Sequence, residues 1–140
     1  MKANQISATT TVELDDIDVM CVAGDPSKPI AEQAPVAFQL LETPMDSLRG
    51  RKFYGVITAN TYRACVALLP EEVGTELPNP VWTVPGGRYA RCRIKNWNGD
   101  TTIIGPAFER LVAEVDHDDR RPSIEFYRSQ DDLILMVPTM

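Results

Sequence analysis

The amino-acid sequence predicts an α+β domain of two strand–helix–strand–strand units, which form an antiparallel sheet with two main helices around a central cleft. The first observation behind this prediction is the order of strand and helix patterns, which recurs over residues 11–70 and 81–138. The second is an apolar, aromatic strand near the C-terminus that contains a glutamate, Glu125. In this class of domain, helices cover one face of an antiparallel sheet, and ligand clefts form where two units meet.

The first unit carries four patterned segments: a strand region at residues 9–22, a helix within residues 30–47, and strands at residues 52–58 and 62–69. Pro35 is expected to end a first helical turn or to open a new helix, because it lacks an amide donor and clashes with the preceding turn. Residues 70–80 contain three prolines and three acidic residues, which indicates a surface linker between the units.

The second unit repeats this order with a strand region at residues 81–96, a helix opened by Gly105 and Pro106, and two final strands. Apolar residues at i, i+3, i+4 and i+7 form one face of this helix and are expected to pack against the sheet: Phe108, Leu111, Val112 and Val115.

Charge and hydropathy exclude two classes of partner. The net charge is −6 and the sequence pI is near 4.7, whereas direct nucleic-acid binding needs a basic surface that displaces counterions from phosphates. The longest uninterrupted apolar run, residues 133–137, is far too short to span a bilayer. We therefore expect neither direct nucleic-acid binding nor membrane insertion.

The three cysteines and the N-terminal residues lead to two further expectations. Cys21, Cys65 and Cys92 are odd in number, widely spaced and set in strand-like runs, which indicates reduced, buried thiols in a cytoplasmic protein. Residues 1–10 carry no apolar pattern and are expected to form a disordered tail.

The strand around Glu125 provides the main candidate for a functional site. Because strand residues alternate between faces, Glu125 and Tyr127 share one face, and Ile124 and Phe126 share the other. A carboxylate in an apolar strand is costly unless it is paired, so Glu125 is expected at the floor of an aromatic cleft. The alternative is an edge carboxylate that is solvated or paired with an arginine of the preceding strand region, namely Arg88, Arg91 or Arg93.

Six segments in register resemble the GyrI-like small-molecule-binding domain, the effector-binding domain of bacterial multidrug-responsive regulators. They are residues 53–56, 62–66, 84–90, 104–108, 124–127 and 136–138. The resemblance implies one effector-binding domain over residues 11–140, with pseudo-repeats at residues 11–70 and 81–138. It also implies that Glu125 faces lipophilic cations among aromatic rings. Residues 1–10 are too few for a helix-turn-helix, so a standalone binding protein is expected.

Six residues are the candidate ligand-binding set: Glu125, Tyr54, Tyr89, Tyr127, Trp82 and Trp97. Aromatic residues also dominate hydrophobic cores, so each ring has an ordinary core or rim position as its alternative. Trp97 lies in a polar loop, which is typical of a lid or of a partner contact. His117 lies among aspartates in what we expect to be a solvated loop, so no metal and no cofactor are expected.

The leading functional hypothesis is binding of a lipophilic, cationic organic molecule. The alternative, which the resemblance also implies, is a hydrolase of strained, cyclopropane-bearing natural products. In that case the catalytic residues would be Glu125 as general base, with Tyr54 or Tyr89 as its tyrosine partner. A weaker third hypothesis is a module that inhibits a DNA-handling enzyme through its acidic surface. A protein partner or a homodimer stays open.

Overall fold

A computed structural model of the chain describes residues 5–99 and 101–140. The helices are α1 (Ile30–Glu42) and α2 (Ile104–Glu114). The strands are β1 (Thr10–Leu14), β2 (Ile17–Ala23), β3 (Phe53–Thr58), β4 (Thr61–Ala67), β5 (Val81–Val84), β6 (Gly87–Lys95), β7 (Ser123–Tyr127) and β8 (Asp132–Pro138). Short 3-10 turns at Pro70–Glu72, Trp97–Gly99 and Thr101–Ile103 join these elements.

The eight strands form one antiparallel sheet in the order β1-β6-β8-β7-β3-β4-β2-β5. β3 and β7, the equivalent strands of the two units, pair at its centre, with Gly55 opposite Glu125. Each unit begins with two strands in succession, and these pair across the units, β1 with β6 and β2 with β5. The sheet is therefore curled like half a barrel, and the predicted α+β fold is confirmed.

The two faces of the curled sheet bury different apolar residues. One face carries a cluster that includes Val56, Ile124 and Tyr89, with Phe126 packed against it. On the other face, α1 and α2 each cover a separate cluster, one around Leu41 and the other around Leu111. The predicted alternation along β7 is confirmed, because Ile124 and Phe126 point to the first face, away from the helices.

Helix α1 continues through Pro35 from Ile30 to Glu42, so this proline neither ends a first turn nor opens a new helix. In an α-helix the missing amide of Pro35 removes the hydrogen bond to the carbonyl of Ala31, and the other turns remain intact. Gln33, which is buried, ties the helix to the sheet. Its side-chain nitrogen donates to the carbonyl of Asn60 at 2.7 Å, and its side-chain oxygen accepts from the Tyr62 amide at 2.8 Å.

Helix α2 packs a narrower face on the sheet than its apolar spacing predicts. Leu111 and Ala107 are buried, whereas Val112 is 38% exposed and Phe108 is only half-buried. The face on the sheet runs in steps of four residues, from Ile103 through Ala107 to Leu111. Val112 follows Leu111 by one residue, about 100° further around the helix, and so points to the side.

The prediction of a disordered tail is wrong for residues 5–10, and residues 1–4 lie outside the described residues. Ile6 forms a β-bridge with Ile94 of β6, and the amide of Ser7 donates to the carbonyl of Arg93 at 2.9 Å. Thr10 already belongs to β1. Within the described residues, no helix is long and apolar enough to cross a membrane.

The loop around His117 is not wholly solvated, because Asp118 is 6% exposed. Its two carboxylate oxygens accept hydrogen bonds from Arg120 and Arg121, and these guanidinium groups hold the pKa of the Asp118 carboxyl well below its usual range. Arg121 also donates to the carbonyl of Thr139 at 2.9 Å. The loop is therefore anchored to the C-terminal strand by its acidic residue.

Candidate functional site

A cavity of about 760 Å³ lies between α1 and α2, and β3, β4 and β7 form its floor. Its volume is within the range of about 300–1,000 Å³ that small-molecule sites usually occupy. The lining residues are mostly aromatic or aliphatic: Ile30, Ala31, Ala34, Pro35, Phe38, Glu42, Phe53, Ile57, Tyr62, Trp97, Thr101, Ile104, Gly105, Phe108, Glu125 and Tyr127.

Strand alternation determines which floor residues face this cavity. Phe53 and Ile57 are two positions on either side of Gly55 in β3, so all three share the face that the helices cover. Glu125 and Tyr127 have the same relation in β7. The register that sets Gly55 opposite Glu125 then places the carboxyl near the middle of the floor.

Glu125 is 6% exposed, and two tyrosine hydroxyls contact one of its oxygens. The hydroxyl of Tyr62 donates to Glu125 Oε1 at 2.6 Å, and the hydroxyl of Tyr127 donates to the same atom at 2.5 Å. The two hydroxyl oxygens are themselves 2.9 Å apart. Three oxygens from β4 and β7 thus lie within hydrogen-bonding distance of one another.

Gly55 leaves the space in which these groups meet. A Cβ atom at this position would lie 2.0 Å from the Tyr62 hydroxyl oxygen and 2.6 Å from Glu125 Oε1. Real Cβ atoms do not approach other heavy atoms so closely, so any larger residue would displace the tyrosine or the carboxyl. Tyr62 of β4 therefore reaches Glu125 of β7 across a gap in the intervening strand β3.

Burial raises the pKa of the Glu125 carboxyl above its usual value, and the hydrogen bonds from Tyr127 and Tyr62 offset part of this effect. Burial, followed by the nearby Glu125 charge, also raises the pKa values of the Tyr62 and Tyr127 hydroxyls. The phenols therefore stay protonated as donors.

Aromatic rings surround this polar centre in edge-to-face contacts. The ring centroid of Phe38 in α1 is 5.4 Å from that of Tyr127 and 6.0 Å from that of Tyr62. On the α2 side, the Trp97 ring is 5.3 Å from Tyr127, and its indole nitrogen donates to the carbonyl of Ser129 at 3.3 Å. The cavity therefore presents ring edges and faces to a ligand on both sides of Glu125.

The cavity walls are acidic where they are charged at all. Among the described lining residues, the charged side chains are Glu42 and Glu125, and none is lysine, arginine or histidine. A cationic guest would consequently meet opposite charge without a competing basic side chain, whereas an anionic guest would meet like charge.

The structure brings together three of the six predicted ligand-binding residues, namely Glu125, Tyr127 and Trp97. Tyr54, Tyr89 and Trp82 do not line this cavity, so the expected cleft shared by Tyr54, Tyr89 and Glu125 is wrong. All three belong to the apolar cluster on the opposite face of the sheet. For Tyr54 this follows from strand alternation, because it comes one position after the cavity residue Phe53.

Each of these three rings has a different neighbour on that opposite face. Tyr54 stacks on Phe126 with ring centroids 4.9 Å apart. The Tyr89 hydroxyl donates to the carbonyl of Pro85 at 2.6 Å, and Arg63 lies over the ring of Trp82 at 5.1 Å from its centroid.

The arginines proposed as alternative partners of Glu125 have other contacts. Arg88 pairs with Glu13, and Arg93 pairs with Asp132. The side chain of Arg91 donates to the Thr10 hydroxyl at 3.4 Å. The described partners of Glu125 are therefore tyrosines.

Two residues central to this arrangement, Tyr62 and Gly55, are absent from the predicted set. Tyr62 lies 63 positions before Glu125, and only the register of β4 on β3 and of β3 on β7 brings the two together. Gly55 lies inside a strand, where glycine often marks a close approach of neighbouring groups, and that position was a usable indication.

Among the described residues, no group of three or more histidine, cysteine, aspartate or glutamate side chains is arranged to hold a metal ion.

No family model and no curated protein match the sequence, whereas several solved structures share its fold. An integron cassette protein from the mobile metagenome of Vibrio cholerae, VCH_CASS2, superposes with a TM-score of 0.68 at 13% identity, covering 96% of this chain and 97% of its own. SAV2435 bound to tetraphenylphosphonium superposes with a TM-score of 0.63 at 9% identity, covering 96% of this chain and 94% of its own. A hydrolase from Listeria innocua superposes with a TM-score of 0.50 at 9% identity, covering 94% of this chain and 91% of its own.

At these identities the similarity establishes a common fold and nothing about ligands. The fold is compatible with the GyrI-like resemblance of the sequence.

We expect Gly55→Ala to destabilise the chain by about 1–3 kcal/mol, the usual range for overpacking a buried site. The added methyl group would overlap the Tyr62 hydroxyl and Glu125. Gly105→Ala is the matched control, because Gly105 also lines the cavity and a Cβ there meets no heavy atom within 4 Å. Urea unfolding measures the free energy of unfolding of both variants. Equal stability of the two variants would contradict the role assigned to Gly55.

The raised pKa of Glu125 predicts a pH-dependent stability. The folded chain keeps this proton over a pH range in which the unfolded chain has lost it. Glu125 therefore contributes stability that is fully present below the ordinary glutamate pKa of about 4.5 and is lost as the pH rises through the folded value. The free energy of unfolding of Glu125→Gln, minus that of the unchanged chain, should thus rise with pH by at most about 1.4 kcal/mol per pH unit.

Urea unfolding at a series of pH values measures this difference, because the contributions of all other carboxyls cancel. Glu109→Gln makes the same chemical change at an exposed position of α2 and is the control. A difference that stays flat, or one that Glu109→Gln reproduces, would show that Glu125 does not hold its proton.

Proposed function

We propose that this protein binds lipophilic organic cations in the cavity between α1 and α2, as a GyrI-like effector-binding domain over residues 11–140. Glu125 is the counter-charge and the surrounding rings form the walls. The observation that carries the proposal is the pairing of a nearly buried carboxyl with an apolar, aromatic cavity of about 760 Å³. Such a cavity suits a molecule that is bulky and apolar yet positively charged.

The electrostatics favour a cation over a neutral molecule of the same shape. Glu125 is desolvated in the free protein, so its ionised form is disfavoured until a positive charge arrives. A delocalised cation loses little hydration on entering the cavity, and it gains an ion pair in a medium of low dielectric constant. Cation binding is thereby linked to loss of the Glu125 proton.

The aromatic walls of the cavity would also attract a cation. A cation over the face of a tryptophan, tyrosine or phenylalanine ring gains about 0.5–2 kcal/mol from the ring quadrupole. Phe38, Phe108 and Trp97 line the two sides of the cavity, and Tyr62 and Tyr127 line the floor. The tetraphenylphosphonium bound to SAV2435, which shares this fold, supports a ligand of this class.

Tetraphenylphosphonium is the probe that tests this proposal, with isothermal titration calorimetry as the measurement. Glu125→Gln keeps the shape of the floor but removes the charge, so the affinity should fall at least tenfold, which corresponds to about 1.4 kcal/mol. Neutral triphenylphosphine oxide should bind the variant and the unchanged protein with similar affinity. Glu109→Gln is the charge-matched control outside the cavity.

An unchanged affinity for tetraphenylphosphonium in Glu125→Gln would contradict the assigned counter-charge. Absence of binding to the unchanged protein would contradict the proposed ligand class.

A second candidate function is hydrolysis of strained, cyclopropane-bearing natural products. The observation that favours it is the raised pKa of Glu125 beside two hydroxyl donors, because a general base works best with a pKa near the working pH. Tyr54 and Tyr89 lie on the other face of the sheet, so the tyrosine partner in this proposal is Tyr62 or Tyr127. The hydrolase from Listeria innocua supports this candidate through its fold alone.

Hydrolysis predicts that Glu125→Gln abolishes turnover of a cyclopropane electrophile while its binding persists, because only the transition-state interaction is lost. Mass spectrometry of the ring-opened product measures turnover, and Tyr54→Phe on the opposite face is the control that should retain it. Turnover that survives in Glu125→Gln, or a substrate that binds without being consumed, would exclude Glu125 as the base.

A further inference from the structure

Cys21 of β2 and Cys65 of β4 lie directly opposite each other in the antiparallel sheet. The amide of Gly24 donates to the carbonyl of Tyr62 at 2.7 Å, and that of Leu68 donates to the carbonyl of Asp18 at 3.0 Å. In an antiparallel ladder, hydrogen-bonded pairs recur at every second residue, so these two bonds assign that role to the even-numbered residues of β2. Cys21 has an odd number, and the cysteine pair is therefore a non-hydrogen-bonded pair.

This kind of pair brings two cysteines close enough for a covalent bond. Its Cα atoms are about 4.5 Å apart and its side chains lie closer than in the hydrogen-bonded pairs. Disulfides span Cα separations of about 4.4–6.8 Å, so the backbone needs no rearrangement. The amide of Cys21 agrees with this assignment, because it donates away from β4, to the carbonyl of Pro80 at 2.9 Å.

The two thiols share one face and differ in accessibility. Both belong to the apolar cluster on the face away from the helices. Cys21 is 8% exposed and Cys65 is fully buried. The third cysteine, Cys92, lies in the cluster beneath α2, on the opposite face of the sheet, and cannot join this pair.

The surroundings of the pair make the less buried thiol the more acidic one. The neighbouring Cys65 thiol, helped by the charge of Arg63, lowers the pKa of Cys21 to about 7. The Cys21 thiol and burial in turn raise the pKa of Cys65. The nucleophilic species of a cysteine is its thiolate, and peroxide must also reach the sulfur, so the less buried Cys21 is the attacking group and Cys65 the resolving group.

We propose that Cys21 and Cys65 form a redox-active cross-strand dithiol that hydrogen peroxide converts to a disulfide. The Cys21 thiolate attacks one peroxide oxygen, the O–O bond breaks, and hydroxide leaves, which gives a sulfenic acid on Cys21. The Cys65 sulfur then attacks the Cys21 sulfur, the S–O bond breaks, and the second hydroxide leaves. The two thiol protons convert both hydroxides to water, so one peroxide is reduced and two thiols are oxidised.

The disulfide would close a loop that contains α1 and β3, and it would fix β2 to β4 without touching the cavity. Cys21 and Cys65 are absent from the cavity lining, so the proposal is independent of the ligand-binding function proposed above.

Peroxide treatment of the reduced chain tests the proposal. Thiol alkylation followed by peptide mass spectrometry should show that two of the three thiols are lost, with a Cys21–Cys65 peptide lacking two hydrogen atoms and Cys92 still alkylated. This experiment uses only the unchanged chain, so it does not depend on whether a cysteine variant folds. Dithiothreitol should restore all three thiols.

Variants and unfolding separate a built pair from random oxidation. Cys92→Ser should leave the disulfide yield unchanged, whereas Cys21→Ser and Cys65→Ser should each abolish it. In urea, the preference for the Cys21–Cys65 pair should disappear. The proposal is overturned if both thiols survive peroxide, if Cys21 proceeds to sulfinic acid without a disulfide, or if Cys92 is oxidised as fast as Cys21.

Discussion

Two tyrosine hydroxyls hold the Glu125 carboxyl at the centre of the sheet, and the rest of the candidate site is arranged around this contact. Burying a carboxyl in an apolar cavity is unfavourable unless its oxygens find donors. Here the donors come from β4 and β7, on either side of β3, so the contact spans three adjacent strands. It forms only because Gly55, in the middle strand, has no side chain at the crossing point. One missing Cβ therefore fixes the floor of the cavity, and both strand registers must be correct for it to do so.

The helices complete the site by combining small and large side chains. Ala31, Ala34 and Gly105 line the cavity without filling it, whereas Phe38 and Phe108 form its walls. A helix pair with large residues at all of these positions would fill the space above Glu125. Room for a ligand thus follows from sequence positions that contribute little to the core, while Leu41 and Leu111 secure each helix to the sheet.

The sequence predicts the repeated element order and the two faces of β7, because both depend on local periodicity. It cannot say which face of the sheet the helices cover when both faces bury apolar residues, as they do here. Tyr54 and Tyr89 are therefore misplaced in the predicted cleft. Tyr62 escapes prediction because its partner is two strands away, and residues 5–10 gain their order from pairing with β6. In each case the missing information is the alignment of strands that are distant in the chain.

The hydrogen bonds on Glu125 also bear on what the carboxyl can do. Both tyrosine hydroxyls donate to Oε1, and among the described residues Oε2 accepts no further side-chain hydrogen bond. Oε1 is thus positioned by the protein, and in the proposed functions Oε2 would be the oxygen left to contact a cation or a water molecule. The desolvation that raises the pKa of this carboxyl would also strengthen its attraction to a cation that displaces the proton. The two proposed functions would use the carboxyl differently. A bound cation would displace its proton, whereas base catalysis would require the carboxylate, which has already lost that proton and can accept one from water.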